Sequence, residues 1–239
     1  MSPSGKNILV DTGEEENIIL EYLLDRKIKT IDYLIISHFD SDHSGKAVEI
    51  IEKLNVKNIV ISMQSEVSEQ FEITIKSAQE NKVNIIQVQA GDILKIDNEV
   101  YLDILWPKTD ETIKENPLNN NSIVTKMRYG NFSVIFTGDI EKEAEEKILE
   151  LYNERQLSAT VLKVAHHGAS TSSTEEFIKN VNPKISLIGV GKNNKFGHPT
   201  NTIIDRLNIY GIKTYRTDLH GEITLKVTKK GEIEIKTKL

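Results

Sequence analysis

The stretch Ile31-Asp32-Tyr33-Leu34-Ile35-Ile36-Ser37-His38-Phe39-Asp40-Ser41-Asp42-His43-Ser44-Gly45 joins an apolar run to two imidazoles and two carboxylates. The run Ile31–Ser37 is short and almost continuously apolar, which predicts a buried strand. The polar side chains fall on the turn between this strand and a following helix, where they can converge on one point. Metal sites need deprotonated donors of this kind at ~2.0–2.2 Å from the ion. Asp residues that only cap the next helix would explain one carboxylate but not the whole set, so the segment predicts a metal site.

The composition limits what the chain can be. It has 239 residues, of which 38% are hydrophobic and 28% are charged, as in an ordinary soluble protein with a core. The net charge of -6 excludes a strongly basic coat for nucleic acid, though not a local basic groove. The absence of Cys excludes disulfides, thiolate metal sites and a cysteine nucleophile. No apolar run approaches the ~20 residues of a membrane span. The polar start, Met1–Asn7, lacks the apolar core of a signal peptide, so we expect one soluble, cytoplasmic domain over residues 1–239.

Short β-branched runs alternate with charged segments of helical period, which predicts an α/β fold. Strands are expected at Ile8–Asp11, Ile31–Ser37, Asn58–Ile61, Ile85–Val88, Ile93–Ile96, Val100–Leu105, Ser122–Tyr129, Phe132–Thr137, Thr160–Ala165, Lys184–Val190, Glu222–Val227 and Glu232–Lys236. Helices are expected at Glu14–Lys27, Lys46–Leu54, Ser65–Asn81, Glu141–Arg155, Thr174–Val181 and Asn201–Tyr210. Pro107–Asn121 is interpreted as a surface loop rather than a domain boundary, because strand patterns flank it closely.

Two further segments place polar side chains at the ends of apolar strands. Asp139 closes Phe136-Thr137-Gly138-Asp139. It is either the N-cap of the next helix or a carboxylate that reaches the first motif and bridges two metals. His166 and His167 follow the run Leu162–Ala165. Because neighbouring side chains on extended backbone point to opposite sides, we expect one of the pair to face the metals. The other would orient it or approach substrate.

The loop Val190-Gly191-Lys192-Asn193-Asn194-Lys195-Phe196-Gly197-His198-Pro199 repeats the pattern of a strand followed by a His. Lys192, Asn194 and Lys195 are candidates to hold an anionic substrate, although a solvated loop explains each of them equally well. His220 precedes Gly221 in a predicted turn and has the weakest claim to the site.

These segments resemble the metallo-β-lactamase superfamily. Within it they are most similar to the ComEC-like branch, represented by the carboxy-terminal domain of DNA-uptake proteins. Six ordered motifs carry the resemblance almost from end to end: Ile8–Gly13, Ser37–Gly45, Asn119–Ser122, Thr137–Asp139, Leu162–Ser170 and Val190–Pro199. The resemblance implies a four-layer αββα sandwich with a two-metal site along one edge of the sheets.

The resemblance also implies a role for each polar residue at the strand ends. It implies that one ion is bound by His38 and Asp40 and the other by Asp42 and His43, with Asp139 as a bridge and His166 and His198 completing the ligand sets. Asp11 and Asn120 would support these ligands without binding a metal. Asp42 and His167 are the candidates for proton transfer, and Lys192 and Asn194 those for binding substrate.

Two departures from the family pattern affect these expectations. Asp40 stands where the superfamily usually has a second His, and Asn119 or Asn120 falls where other branches often carry a His. Oxygen donors favour Mn²⁺ relative to an all-His site, so Zn²⁺ and Mn²⁺ are both candidates. The branch normally has a strand-turn-strand before the segment Asp11–Gly13, so we expect the fold to lack that first β-hairpin.

The hypothesis for function is metal-dependent hydrolysis of an ester bond. Two divalent ions would lower the pKa of a bridging water enough to supply hydroxide near neutral pH. The expected substrate is a phosphodiester, with DNA as the first candidate, which would make the chain a nuclease of the kind used in competence. Two alternatives stay open. The first is a small-molecule phosphodiesterase, of the phosphorylcholine-esterase kind, or a lactonase, and the second is a non-catalytic metal-dependent binding module.

Overall fold

The computed structural model describes residues 1–14, 18–62 and 67–239. Its strands are β1 (Ile8–Val10), β2 (Thr30–Ile31), β3 (Tyr33–Ile35), β4 (Asn55–Val56), β5 (Asn58–Ser62), β6 (Asn84–Val88), β7 (Ile93–Lys95), β8 (Val100–Trp106), β9 (Val124–Tyr129), β10 (Phe132–Phe136), β11 (Val161–Lys163), β12 (Ile185–Ile188), β13 (Lys213–Arg216), β14 (Glu222–Val227) and β15 (Ile233–Lys238). Its helices are α1 (Ile18–Asp25), α2 (Ser41–Ser44), α3 (Ala47–Lys53), α4 (Glu69–Glu80), α5 (Pro117–Asn120), α6 (Lys142–Leu151), α7 (Glu154–Leu157), α8 (Glu175–Val181), α9 (Asn201–Ile209) and α10 (Thr217–His220).

Most of these strands belong to two sheets. The first has the order β1-β3-β5-β6, and all of its pairs are parallel. The second has the order β13-β12-β11-β10-β9-β8-β7; it is parallel from β13 to β10 and antiparallel from β10 to β7. Parallel strands end at the same edge of a sheet, so the loops that follow β10 and β11 of the second sheet can meet there. The loop that follows β3 of the first sheet lies against them.

The two sheets face each other because side chains alternate along their buried strands. Ile35 of β3 and Val60 of β5 lie in the core between the sheets, together with Leu102 of β8. Their neighbours Leu34 and Ile59 belong to a second core beneath α1, α3 and α4. The near-continuous apolar runs of the first sheet therefore serve two cores at once.

Helices also cover the outer face of the second sheet. Ile148 of α6, Phe177 of α8 and Leu207 of α9 share a core with Leu162 and Ile188 of that sheet. Both outer faces thus carry helices, and the predicted four-layer αββα sandwich is confirmed. The expectation of a missing first hairpin stays a prediction; β1 is an edge strand of the first sheet as described.

The prediction of one strand over Ile31–Ser37 is wrong, because Asp32 interrupts it. Asp32 is buried and accepts hydrogen bonds from Lys57 Nζ at 2.8 Å and from the backbone N–H of Asn7 at 3.0 Å. On one side of this residue β2 pairs with β4, and on the other β3 pairs with β1 and β5. A single polar residue near the start of an apolar run was too weak a signal to predict the break.

Two other differences concern helices and loops. The helix predicted over Glu141–Arg155 divides into α6 and α7, because Asn153 and Gln156 form a capping box that starts a new helix. Pro107–Asn121 is not wholly a surface loop, since it ends in α5 with Asn119, Asn120 and Asn121 buried.

The remaining differences concern one strand and the ends of two helices. The sequence did not predict β13, whose side chains are mostly polar. The predicted helices Glu14–Lys27 and Ser65–Asn81 are present as α1 and α4, and residues 15–17, 65 and 66 of those predictions lie outside the described residues. Among the described helices, none combines the length and apolar character needed to cross a membrane.

Candidate metal centre

The loop after β3 brings the first motif to the edge of the sheet. His38 is fully buried there, and Asp42 and His43 lie on the single turn of α2. Asp40 occupies the N-cap position of α2, but its side chain makes no capping hydrogen bond. The alternative interpretation, in which the Asp residues of this motif only cap the next helix, is therefore wrong for Asp40, the residue at the N-cap position.

Asp139 lies at the same edge, after β10. The N-cap of α6 is Glu141, so the alternative that Asp139 caps this helix is also wrong. The preceding Gly138 has a φ of 54°, and a Cβ at this position would lie 2.7 Å from the Cβ of Ser122. Glycine is needed here because the chain turns in the left-handed region while passing close to a neighbouring loop.

Asp11 supports both histidines of the first motif. Its Oδ1 accepts the backbone N–H of Ser37 at 2.7 Å, and its Oδ2 lies 2.8 Å from Nδ1 of His43. The hydroxyl of Ser37 donates to Asp11 Oδ2 at 2.9 Å and lies 3.0 Å from Nδ1 of His38. Both rings thus use Nδ1 in this network, so Nε2 is the nitrogen left for an ion.

Carboxylates surround the ring of His43. Its Nε2 lies 3.1 Å from Asp139 Oδ1 and 3.7 Å from Asp42 Oδ2. Burial lowers the pKa of His43, but Asp11 and Asp139 outweigh burial and raise that pKa to about 10. Burial likewise raises the pKa of Asp139, but His43 outweighs it and holds that pKa well below its usual range. The centre of this site therefore favours positive charge.

His166 and His167 lie in a tight turn, because β11 already ends at Lys163. Both have left-handed backbone, with φ of 48° and 52°. The premise that they alternate across extended backbone is therefore wrong. Gly168 follows with a φ of 85°, and a Cβ there would lie 2.6 Å from the Cβ of Pro199, so the turn packs tightly against the loop that carries His198.

The turn gives the two histidines different neighbours. His167 Nδ1 donates to the backbone carbonyl of Gly189 at 2.6 Å, and its Nε2 lies 3.1 Å from Asp42 Oδ2. His166 lies further out, with Nε2 4.0 Å from Asp139 Oδ2 and Nδ1 3.4 Å from Glu141 Oε1. The geometry places His167, which the sequence assigned to catalysis, among the candidate ligands, and places His166, the predicted ligand, beside them.

Four side chains from three chain segments meet at one point. Each offers a ligand atom that lies within 4.8 Å of the others: Asp42, His43, Asp139 and His167. Four donors at ~2.1 Å from a common ion lie within ~4.2 Å of one another, so this arrangement needs only a small contraction to hold one. Two imidazoles and two carboxylates are suitable for Zn²⁺ and for Mn²⁺. The residues therefore fit a divalent ion.

A second group of donors adjoins the first. His38 Nε2 is buried and has no hydrogen-bond partner among the described residues. Asp40 Oδ2 lies 3.6 Å from this nitrogen, beyond hydrogen-bond distance. Because an unpaired buried polar atom is costly, the geometry is consistent with a second ion near His38 and Asp40.

The remaining predicted residues lie around these groups. The ring of His198 stands 5.8 Å from that of His166, centroid to centroid. Asn120 Oδ1 accepts the backbone N–H of Glu141 at 2.9 Å, which ties the loop before β9 to the start of α6. His220 contacts the backbone of Arg216 at 3.1 Å through Nδ1 and is not part of the cluster of four.

The loop that carries His198 also holds the predicted substrate-binding residues. Lys192 is exposed on it. Asn194 donates to the carbonyl of His198 at 2.8 Å and accepts that residue's N–H at 2.9 Å, so its amide stabilises the loop. Binding of substrate by Lys192 and Asn194 stays a prediction.

Sequence reasoning missed three residues of the site: Ser37, Glu141 and Lys163. Ser37 and Glu141 are polar residues next to predicted ligands, a position that carries little signal by itself. Lys163 was visible as the single charge in an apolar run. Its Nζ donates to the carbonyl of Val164 at 3.0 Å, and burial lowers its pKa despite the opposing effect of Asp139.

Residues 2–192 match the metallo-beta-lactamase superfamily, which is most of the chain. The chain belongs to this superfamily. It is 35% identical over 208 residues to ComE operon protein 3 of Bacillus subtilis and 27% identical over 231 residues to competence protein ComA of Neisseria gonorrhoeae. These relatives place the chain in the ComEC-like branch that the motifs resemble.

The relatives are much longer than this chain. The match with ComE operon protein 3 covers 87% of this chain and 26% of the relative, and that with ComA covers 95% and 30%. Among solved structures, the metallo-beta-lactamase fold protein YhfI of Bacillus subtilis matches with a TM-score of 0.57 and 15% identity, over 90% of this chain and 86% of the other. At that identity the likeness concerns the fold alone.

Proposed function

We propose that this chain is a metal-dependent hydrolase that cleaves phosphodiester bonds, with DNA as its substrate. The observation that carries the proposal is the convergence of Asp42, His43, Asp139 and His167 on one point. These four would hold one divalent ion, and His38 and Asp40 would hold a second, with Asp139 shared between them. Bound divalent ions supply a water-derived nucleophile at neutral pH and polarise the ester under attack.

The other side chains of this site orient the ligands and handle protons. Asp11 and Ser37 fix the rings of His38 and His43 through their Nδ1 atoms, so that Nε2 of each ring keeps its direction. Asp42 is half exposed and is hydrogen-bonded to His167, which lowers its pKa, so the carboxylate stays ionised and available as a ligand at the mouth of the site. His166 is partly exposed beside Glu141, where it can hold a proton for the leaving group.

The substrate class rests on charge and on relatives. Overall the chain carries a charge of -6, which repels a polyanion. The loop with Lys192 and Lys195 is the local exception, since both of its ammonium groups are exposed next to His198. Two relatives are named as a competence protein and a recombination protein. We therefore take the phosphodiester to be that of DNA, with this loop as the local cationic surface that faces it.

The test is hydrolysis by the protein loaded with Zn²⁺ or Mn²⁺. Single-stranded DNA and bis-p-nitrophenyl phosphate serve as parallel substrates, with His167→Ala and Asp139→Ala as variants and His220→Ala as the matched control. Loss of a ligand should lower kcat at least ~100-fold, exceeding the usual effect of losing a supporting partner, and His220→Ala should retain activity.

Each other outcome points to a different function. DNA left intact while the small ester is cleaved would favour a small-molecule phosphodiesterase or a lactonase. Tight DNA binding without turnover would favour a non-catalytic binding module. Turnover that survives both ligand variants would mean that the reaction occurs elsewhere.

A further inference from the structure

Phe196 is a large apolar side chain held in solvent beside the metal centre. Its side chain is 81% exposed, although phenylalanine is normally buried. The ring lies 6.0 Å from that of His198, and the two planes differ by only 16°. The exposed face of Phe196 therefore continues a stack that begins at a predicted ligand.

A row of rings connects Phe196 to the centre of the site. His198 stands 5.8 Å from His166, and His166 Nε2 stands 4.0 Å from Asp139 Oδ2. A flat group resting on Phe196 would thus lie at the outer end of this row, with Asp139 at the inner end. The row is compatible with a single strand that has one base on Phe196 and a phosphodiester, one or more nucleotides along the strand, at the metal centre.

The loop that presents Phe196 is braced by its own side chains. Asn194 bonds both the N–H and the carbonyl of His198, at 2.9 and 2.8 Å. Its Nδ2 also donates to the carbonyl of Gly191 at 3.4 Å. These bonds close a short loop around Phe196, so the ring does not have to be ordered by the substrate, which lowers the entropy cost of binding.

The charges on this loop match a nucleic-acid chain. Lys192 and Lys195 precede Phe196 in the same loop and are exposed. Within the described ranges, neither lysine takes part in a salt bridge. An exposed aromatic ring in a loop with unpaired cations is a combination found in single-strand binding sites, where bases stack on the ring and phosphates meet lysine.

We propose that Phe196 is a stacking platform for a nucleobase of the substrate, on the same strand as the phosphodiester at the metal centre. The inference rests on the proposed function and deepens it, because it assigns recognition of the base to one residue. Stacking tolerates every base, so the platform would favour nucleic acid without selecting a sequence.

Kinetics on two substrates test the platform. The substrates are oligothymidylate and an abasic chain of the same length, which has the phosphates and sugars but no bases. In the metal-loaded protein, Phe196→Ala should raise the KM for oligothymidylate about ten-fold more than the KM for the abasic chain, within the ~5- to 160-fold range of base stacking. Phe196→Tyr keeps an aromatic ring and should retain the wild-type ratio of the KM for the abasic chain to the KM for oligothymidylate. Ile209→Ala removes an equally exposed apolar side chain, 79% exposed, and should leave the ratio unchanged. Equal changes on both substrates would show that Phe196 only shapes the loop, and would overturn the proposal.

Fluorescence gives a readout that does not depend on turnover. The single Trp, Trp106, is fully buried, so Phe196→Trp introduces an exposed reporter at the platform. Oligothymidylate should quench this reporter in the metal-loaded variant, and the abasic chain should not. Quenching without hydrolysis by the wild type would overturn the proposed function and support the stacking site. Hydrolysis without quenching would overturn the stacking site alone.

Discussion

Asp11 shows how one residue organises the metal centre without being positioned as a ligand. It holds the ring of His43 and the loop at Ser37, and its own backbone has a φ of 59°. Asn tolerates this left-handed conformation and can still accept the N–H of Ser37. Asp11→Asn therefore removes the charge behind His43 while keeping the local geometry.

We expect Asp11→Asn to weaken binding of Zn²⁺ or Mn²⁺ by about 10- to 100-fold, because the ring of His43 loses the partner that orients it and raises its basicity. Competition with a chromophoric chelator measures this affinity. Asp92→Asn is the control, since Asp92 accepts a backbone N–H in a turn and is outside the cluster. Unchanged affinity in Asp11→Asn would contradict the supporting role.

For single residues, the sequence predicted the kinds of donor side chain better than it predicted which of them contact one another. The donor types and their places at strand ends follow from local patterns, and the structure brings Asp42, His43 and Asp139 together. Which of His166 and His167 lies closer to Asp42, His43 and Asp139 depends on a turn with left-handed backbone. A prediction that assumes extended backbone at these residues misses this turn. The roles assigned to the individual ligands stay predictions.

Between elements, Glu145 joins α6 to α8. It is fully buried, and its carboxylate accepts the backbone N–H groups of Ser173 and Thr174, at the start of α8. Burial raises its pKa to about 7, from an ordinary value of 4.5, despite the opposing effect of those bonds. The folded protein therefore binds more protons than the unfolded chain between these two pH values.

The sign of the pH effect follows from this shift. The free energy of unfolding should be highest, relative to Glu145→Gln, below pH ~4.5 and should fall by roughly 3 kcal/mol as the pH rises through 7. Urea unfolding of the two proteins from pH 4.5 to 8 measures the difference. Glu150→Gln alters an exposed carboxylate on the same helix and should give a constant difference from wild type. A constant difference for Glu145→Gln as well would mean that its pKa is not raised.

The elements differ in how well local sequence predicts them. Amphipathic helices such as α9 and α8 were predicted to within a residue or two, because periodicity is a local property. The strand β13 was missed because its sequence is polar, and it forms by adding to the edge at β12. Such a strand is stabilised by its partner more than by its own residues.

In the whole molecule, the candidate centre joins the two sheets. Asp42 and His43 follow β3 of the first sheet, whereas Asp139 and His167 follow β10 and β11 of the second. An ion bound by all four would therefore stabilise the packing of one sheet against the other.

We expect removal of divalent metal to lower the free energy of unfolding. An ion present at 100 times its Kd should stabilise the fold by about 2.7 kcal/mol, because it binds the folded chain only. Thermal unfolding with Zn²⁺ or Mn²⁺, and then with a chelator, measures the shift in Tm. The shift should largely disappear in His167→Ala and persist in His220→Ala. A wild-type Tm that does not change when Zn²⁺ or Mn²⁺ is added would argue against the site.

The class of the fold, the positions of most strands and the nature of the donors can be predicted from the sequence, since alternating hydrophobicity and polar residues at strand ends are local. The break at Asp32, the turn at His166 and His167, and the stacking of Phe196 on His198 depend on the folded structure. The reason is physical: residues 42, 139 and 167 meet through the packing of two sheets. Local periodicity does not encode the distances between side chains so far apart along the chain.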